Sequence, residues 1–297
     1  MAVAHEFKYY RPTKLKEALD LLTSLFDEAR LLAGGTDLAV YIKEGLDQPK
    51  HVIDIKRIKE LKKITVQADG LFIGANATFS DILDNASIKK NYLMLWEAAR
   101  SVASVGIRNR ATLVGNICSA VPSLDSAPAL LCYDAVVHLI GNWGQRQVPI
   151  SEWFKGPRQT ARKPDEIVLG VNLPKQPTRN AGCYLKLGRY GGEDLAQAGL
   201  GILLNDKKEL KLAWCAVGPV PTRSLQIEKL LQGKALTPAL IDKAKALVAQ
   251  EISPITDIRS SKEYRIHMCQ VMLERGLQVC VDRLAGKKDE TLGILGG

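Results

Sequence analysis

No apolar run in this 297-residue sequence approaches the ~20 residues that a membrane-crossing helix requires. The opening stretch MAVAHEFKYYRP lacks the basic-then-apolar layout of a secretory leader, so a cytoplasmic protein is expected. Metal-binding patterns are missing too. The six cysteines, Cys118, Cys132, Cys183, Cys215, Cys269 and Cys280, form no C-x-x-C pair and have no histidine at ligand spacing. Zinc and iron–sulfur binding therefore have no support, and free, mostly buried thiols are expected instead. There is no G-x-S-x-G, no H-E-x-x-H, no G-x-G-x-x-G and no Walker loop with its lysine. The ordinary nucleotide folds are not indicated. Internal repeats and low-complexity segments are also absent.

What is present describes an ordinary globular protein, 46% hydrophobic and 25% charged, long enough for two or three units each with its own core. The net charge of +9 raises the question of nucleic acid. The densest basic run, KRIKELKK at 56–63, has Ile58 and Leu61 at helical spacing and no aromatic residue to stack on a base. It reads as a solvated helical or turn face. A basic surface also suits an anionic cofactor or an acidic partner subunit.

Leu15, Ala18, Leu19, Leu22 and Phe26 fall on one stripe and predict an amphipathic helix over 14–26. A buried strand ARLLA, a glycine turn, a helix near 37–44 and a second buried strand HVIDI complete a small parallel α/β unit. KITVQADGLFIGANAT reads as a hairpin around Asp69-Gly70. Helices from about Thr78 and over 91–104 follow, then strands DAVVHLIG and DEIVLGVNLP with a Ser151-capped short helix between them. Three strand-like segments after 181 precede three helices, the second opening Thr237-Pro238 and the third on a capping box Ser260-x-x-Glu263. The expected division is 1–56, 57–176 and 177–290, with 291–297 a loose tail.

In LLAGGTDLAV, residues 31–40, two glycines follow a strand and open a helix. Such a pair serves a tight turn, or it bares amide N–H groups to an anion at the start of a helix. Thr36 could add a hydroxyl donor and Asp37 could cap the helix. A second stretch, IRNRATLVGNICSAVPSLDSAPALL at 107–131, is rich in small polar residues and reads as an irregular site-serving segment before a helix at 126–132. Together the two could clamp a long polar ligand. From the residues alone, the reading stops at an α/β protein that binds a phosphate-bearing molecule.

The pairing of LLAGGTDL with IRNRATLVGNICSAVPSLDSAPALL resembles the FAD-binding medium subunit of the molybdenum hydroxylases, the xanthine dehydrogenase and aerobic carbon monoxide dehydrogenase family. The likeness runs from FKYYRPTKLKEAL to SSKEYRIHM. It implies an α+β fold: a two-part FAD module of the vanillyl-alcohol-oxidase type plus a C-terminal three-stranded antiparallel sheet with helices. It implies that Leu32, Ala33, Gly34, Gly35, Thr36, Asp37 and Leu38 wrap the FAD pyrophosphate. Thr112, Gly115 and Asn116 would meet it from the second segment, with Asp125, Val168 and Lys186 further along the cofactor. The chain departs from the family pattern at Val114 and Val121, where bulkier walls are expected.

The resemblance further implies partners: a molybdopterin-binding large subunit and a small subunit with two [2Fe–2S] clusters, assembled as heterotrimers that can pair. The flavin would hand electrons to NAD⁺, oxygen or another acceptor. No catalytic residue and no metal ligand is expected in this chain, and no nucleic acid or membrane span. A stand-alone flavin reductase and a non-enzymatic FAD-binding protein are the rival readings. His138 and the four tryptophans Trp96, Trp143, Trp153 and Trp214 read as packing residues, Asp194 as a turn or site residue. Tyr184 and Tyr190 are the better candidates for lining the flavin ring.

Overall fold

The computed structural model describes residues 5–177 and 179–287 and the backbone of a two-residue strand, Ile294–Leu295. The N-terminal unit is as the periodicity predicts. Helix Leu15–Leu25 buries Ala18 and Leu22 against a parallel sheet in which His51–Asp54 lies between Lys8–Tyr10 and Ala29–Leu32. The Asp69-Gly70 hairpin joins Ile64–Gln67 to Gly70–Gly74 and forms one edge of an antiparallel sheet. That sheet continues through Ile167–Pro174 and Val136–Gly141 to an edge strand, Gly144–Pro149, that no alternation in the sequence announced.

In the C-terminal half, strands Asn180–Leu187, Ala198–Asn205 and Leu210–Cys215 form an antiparallel sheet as expected. Two-residue strands extend it at both edges: Thr222–Arg223 pairs with Leu210–Cys215, and Ile294–Leu295 runs parallel to Lys186 and Leu187. Apart from that pair, the expected tail lies outside the described residues. Helix Lys262–Leu284 covers this sheet with Cys269, Met272, Leu273 and Leu277 fully buried. Helix Leu93–Ser101 packs on its other face, where Glu97 Oε2 accepts a 2.9 Å bond from the Tyr184 amide and Oε1 meets Arg283 at 2.6 Å. One acidic side chain thus ties the middle of the chain to its C-terminal half.

Four expectations are corrected. The segment 107–131 is neither irregular nor polar throughout. It folds as two short helices, Val105–Arg108 and Leu113–Ser119, ahead of the expected helix, Ser126–Cys132, which is buried at every position. Its alanines and serines are small because neighbours pack close. The Ser151 helix is a single 3₁₀ turn, Ile150–Glu152, preceded by Pro149 with no side-chain cap. Ser261, not Ser260, caps the last helix by accepting from the Tyr264 amide, while Ser260 accepts from Arg265 Nε. Asp37 makes no cap bond to the helix it precedes. Thr237 does cap its helix, with Pro238 in the first turn. The basic run 56–63 is two 3₁₀ turns that bury Ile58 and Leu61 and leave their lysines in solvent.

Candidate cofactor site

The strand Ala29–Leu32 ends at the edge of a cleft of about 520 Å³. Gly35 turns the chain there at φ +80°, a conformation that a side chain disfavours. Gly34 answers a different demand. A Cβ on it would lie 2.2 Å from the Arg110 carbonyl oxygen and 2.9 Å from Ala111 Cα, so only a bare backbone lets the loop press against the second segment. The loop then enters helix Leu38–Lys43, with the Ala39 amide bonded to the Gly35 carbonyl at 3.0 Å. The amides of residues 34–38 find no backbone acceptor among the described residues, and all five residues line the cleft. Unsatisfied N–H groups at a helix start form an anion cradle.

The opposite wall is held by Thr112. Its hydroxyl accepts from the Gly115 amide at 2.9 Å and caps helix Leu113–Ser119, and its backbone bridges Thr78. Asn116 accepts from Ser126 Oγ at 2.6 Å, which leaves its amide nitrogen as a donor for the cleft. Ser119 donates to Asp37 Oδ2, so the two walls are strapped together across the gap. Val114 and Val121 line the cleft, as their bulk suggested, and so does Val168.

Asp125 also lines the cleft, with its back to a buried network. Its Oδ1 accepts from Tyr184 Oη at 2.7 Å and its Oδ2 from Lys186 Nζ at 3.0 Å. Lys186 reaches on to the Ser101 carbonyl at 2.9 Å. Burial pushes the Asp125 carboxyl up, opposed by the Lys186 cation and the Tyr184 hydroxyl. Lys186 is 1% exposed and does not line the cleft; it stands behind Asp125. Tyr184 is buried beside it, and Tyr190 is half in solvent with its hydroxyl on the Glu193 carbonyl; neither lines the cleft.

At the cleft mouth Asp194 accepts from the amides of Arg189 and Leu195 at 2.7 and 3.0 Å. Burial pushes its carboxyl up, yet these bonds and the Arg189 guanidinium hold it below the usual range. It is a turn-maker that presents Leu195 to the cleft. Burial raises the Cys118 thiol to about 11. Five of the six thiols are buried, and none is paired in a disulfide. His138 packs edge-on against Phe72, and Trp153 and Trp214 are core residues, but Trp143 is 98% exposed at a hairpin tip. Tyr41, Phe79, Val102, Ile107 and Arg162 also line the cleft. Ile107 opens the second segment already singled out, whereas no motif in the sequence marked Tyr41, Phe79, Val102 or Arg162.

Residues 5–176 match the family described as the FAD binding domain in molybdopterin dehydrogenase, and residues 183–279 match the CO dehydrogenase flavoprotein C-terminal domain. The chain belongs to this flavoprotein family. It is 33% identical over 285 residues to the xanthine dehydrogenase FAD-binding subunit of Escherichia coli O157:H7, covering 94% of this chain and 97% of that one. It is 30% identical to the carbon monoxide dehydrogenase medium chain of Hydrogenophaga pseudoflava, covering 94% and 98%. Its fold matches a solved carbon monoxide dehydrogenase from that organism, one lacking the Mo-pyranopterin moiety of its cofactor. The TM-score is 0.91 at 30% identity, over 95% of this chain and 99% of that one. The flavoprotein's cofactor is FAD, and the cleft suits it: free amides for a diphosphate at one place, apolar walls elsewhere.

Proposed function

We propose that this flavoprotein is the electron-exit subunit of a multisubunit molybdopterin hydroxylase, working in the cytoplasm beside a molybdopterin-bearing large subunit and a small subunit with [2Fe–2S] clusters. One observation carries the reading at residue level: residues 34–38, whose amides have no backbone acceptor among the described residues, line a cleft whose other wall is Thr112, Gly115 and Asn116. Leu32, Ala33 and the amides of Gly34, Gly35, Thr36, Asp37 and Leu38 hold the FAD diphosphate. Asn116 and the start of helix Leu113–Ser119 meet it from across the gap. Asp125 and Val168 orient the rest of the cofactor, and Lys186 keeps Asp125 in place. The described parts of the first two units form the two halves of the cleft, and the C-terminal unit backs Asp125 with Tyr184 and Lys186 and brings Leu195 to the mouth.

The residues of this cleft would hold FAD, which would supply the redox chemistry between single-electron donors and a two-electron acceptor such as NAD⁺. The protein positions the cofactor and excludes water from part of it. A stand-alone reductase would need a free acid or base beside the flavin. Three of the carboxylates that line the cleft are committed to protein partners: Asp125 to Lys186 and Tyr184, Asp194 to its own turn, and Asp37 to Ser119.

The test is competition binding on the purified full chain stripped of flavin. A diphosphate cradle predicts that FAD binds far more tightly than riboflavin and that ADP competes with it. Riboflavin binding as tightly as FAD would remove the cradle from the argument.

A further inference from the structure

The helix that follows the glycine loop carries Asp37 at its start and Tyr41 one turn on, with the Tyr41 amide bonded to the Asp37 carbonyl at 2.9 Å. Both residues line the cofactor cleft. Asp37 is strapped to Ser119 across the gap. Tyr41 meets a neighbour from the same side: the Arg158 guanidinium lies over its ring, 4.7 Å from the centroid. Arg158 is exposed and does not line the cleft, so Tyr41 stands at the cleft's edge with an arginine on its outer side. A guanidinium is attracted to the negative face of a phenol ring, weakly enough at an exposed site for the contact to break and re-form.

Arg158 is held there against its own backbone preference. It follows Pro157 in the turn between strands Phe154–Gly156 and Gln159–Thr160 and takes φ +59°, a left-handed value that such turns ordinarily give to glycine or asparagine. Its amide donates to the Ala120 carbonyl at 2.9 Å, and Ala120, directly after Ser119, is itself left-handed at φ +47°. Two non-glycine residues in that region, joined by one hydrogen bond, form a strained contact of the kind that clusters at ligand clamps. A glycine would make the turn more easily. What the arginine adds is the cation over Tyr41.

FAD is wide at both ends and narrow at its diphosphate. A molecule so shaped cannot slide endwise between walls that already touch, so a side chain at the rim must move aside when it enters or leaves. We propose that Tyr41 is the door of the cofactor cleft and Arg158 its catch: the ring swings out to admit or release FAD, and the guanidinium holds it shut. This rests on the reading of the cleft as the FAD site. Arg158 is a positioning residue, since it acts on Tyr41 and not on the cofactor. The catch serves the empty and the loaded cleft alike, so it slows passage in both directions without favouring either state.

The experiment follows FAD binding to the flavin-stripped full chain by stopped-flow fluorescence, with and without Arg158→Gly. Glycine suits φ +59°, so the variant should keep the turn, the relieved strain offsetting the freer unfolded chain. Loss of an exposed cation–π stack should raise the association and dissociation rates together, each about threefold, and leave the dissociation constant nearly unchanged. In a Tyr41→Ala background, Arg158→Gly should add nothing to either rate. A further readout needs no flavin. With fluorotyrosine incorporated, and the Tyr41 signal assigned by its loss in Tyr41→Phe, the fluorine resonance of Tyr41 in the empty chain should broaden or move in Arg158→Gly.

The proposal is overturned if neither rate changes, or if Arg158→Gly shifts the rates equally with and without the Tyr41 ring. Faster dissociation at an unchanged association rate overturns it too, because a residue that merely touches bound FAD acts on release alone. If the unaltered chain takes up no FAD, the cofactor reading fails separately. The fluorine signal then decides the door: a resonance that Arg158→Gly leaves unmoved removes the catch, and one that it broadens or moves keeps it.

Discussion

Gly34 and Gly35 are adjacent, yet they answer to different constraints: one to a carbonyl 2.2 Å from where a Cβ would sit, the other to a backbone angle of +80°. Gly34→Ala should therefore push the loop off Arg110, separate the two walls and strip FAD from the purified protein while helix content by circular dichroism stays put. Gly35→Ala should cost about 1 kcal/mol of stability through backbone strain, with Leu32 Cδ1, 2.8 Å from the added Cβ, having to move aside. Equal flavin content in Gly34→Ala and the unaltered chain would contradict the close-approach argument. Lys186 gives a second residue-scale prediction. Lys186→Met leaves the Asp125 carboxylate buried without its cation and should destabilise the fold by about 3–5 kcal/mol in denaturant unfolding. Adding Asp125→Leu should recover part of that loss; single and double variants of equal stability would mean the pair is not coupled. The role of Lys186 was not legible in the sequence, since its partner lies 61 residues away and a lone lysine in a strand carries no local mark.

Helix Leu15–Leu25 was readable because eleven residues give periodicity enough turns to show. Of the short helices of 105–132 only Ser126–Cys132 was legible; Val105–Arg108 and Leu113–Ser119, four and seven residues long, span too few turns for a period to show. The glycine loop was legible for the same reason that the strap closing it was not: glycines signal locally, whereas Ser119 and Asp37 are 82 residues apart. Ser119→Ala should weaken FAD binding several-fold, read by equilibrium dialysis, with little change in thermal midpoint, because only the crossing bond is lost. The loop before the last helix offers a pH prediction. The Asp257 carboxyl lies at about 2 rather than the ordinary 3.8: burial pushes it up, but bonds from Arg259, Arg265 and Ser260 more than offset this. A depressed folded-state pKa gives stability that is present above the ordinary value and lost as pH falls towards 2. Asp257→Asn should flatten the stability profile between about pH 4 and 2 in acid titrations. An unchanged acid limb would count against these bonds.

At the scale of the whole molecule, the proposed role places the source of electrons on a partner subunit. The isolated chain, loaded with FAD, should be bleached by dithionite but not by any hydroxylase substrate, and bleaching by substrate should appear only in the assembled complex. A substrate that bleached the lone chain would revive the stand-alone reading. Finally, Lys186 extends from the C-terminal sheet to touch both the Ser101 carbonyl and Asp125, so the half of the chain remote from the glycine loop completes a wall of the same cleft. Prosthetic-group retention thus becomes a gauge of how well the two halves are seated. On a slow heat ramp the yellow colour should leave the protein when the halves part, ahead of the loss of helix, and simple inspection of the eluate would report on a seam that lies wholly inside the molecule.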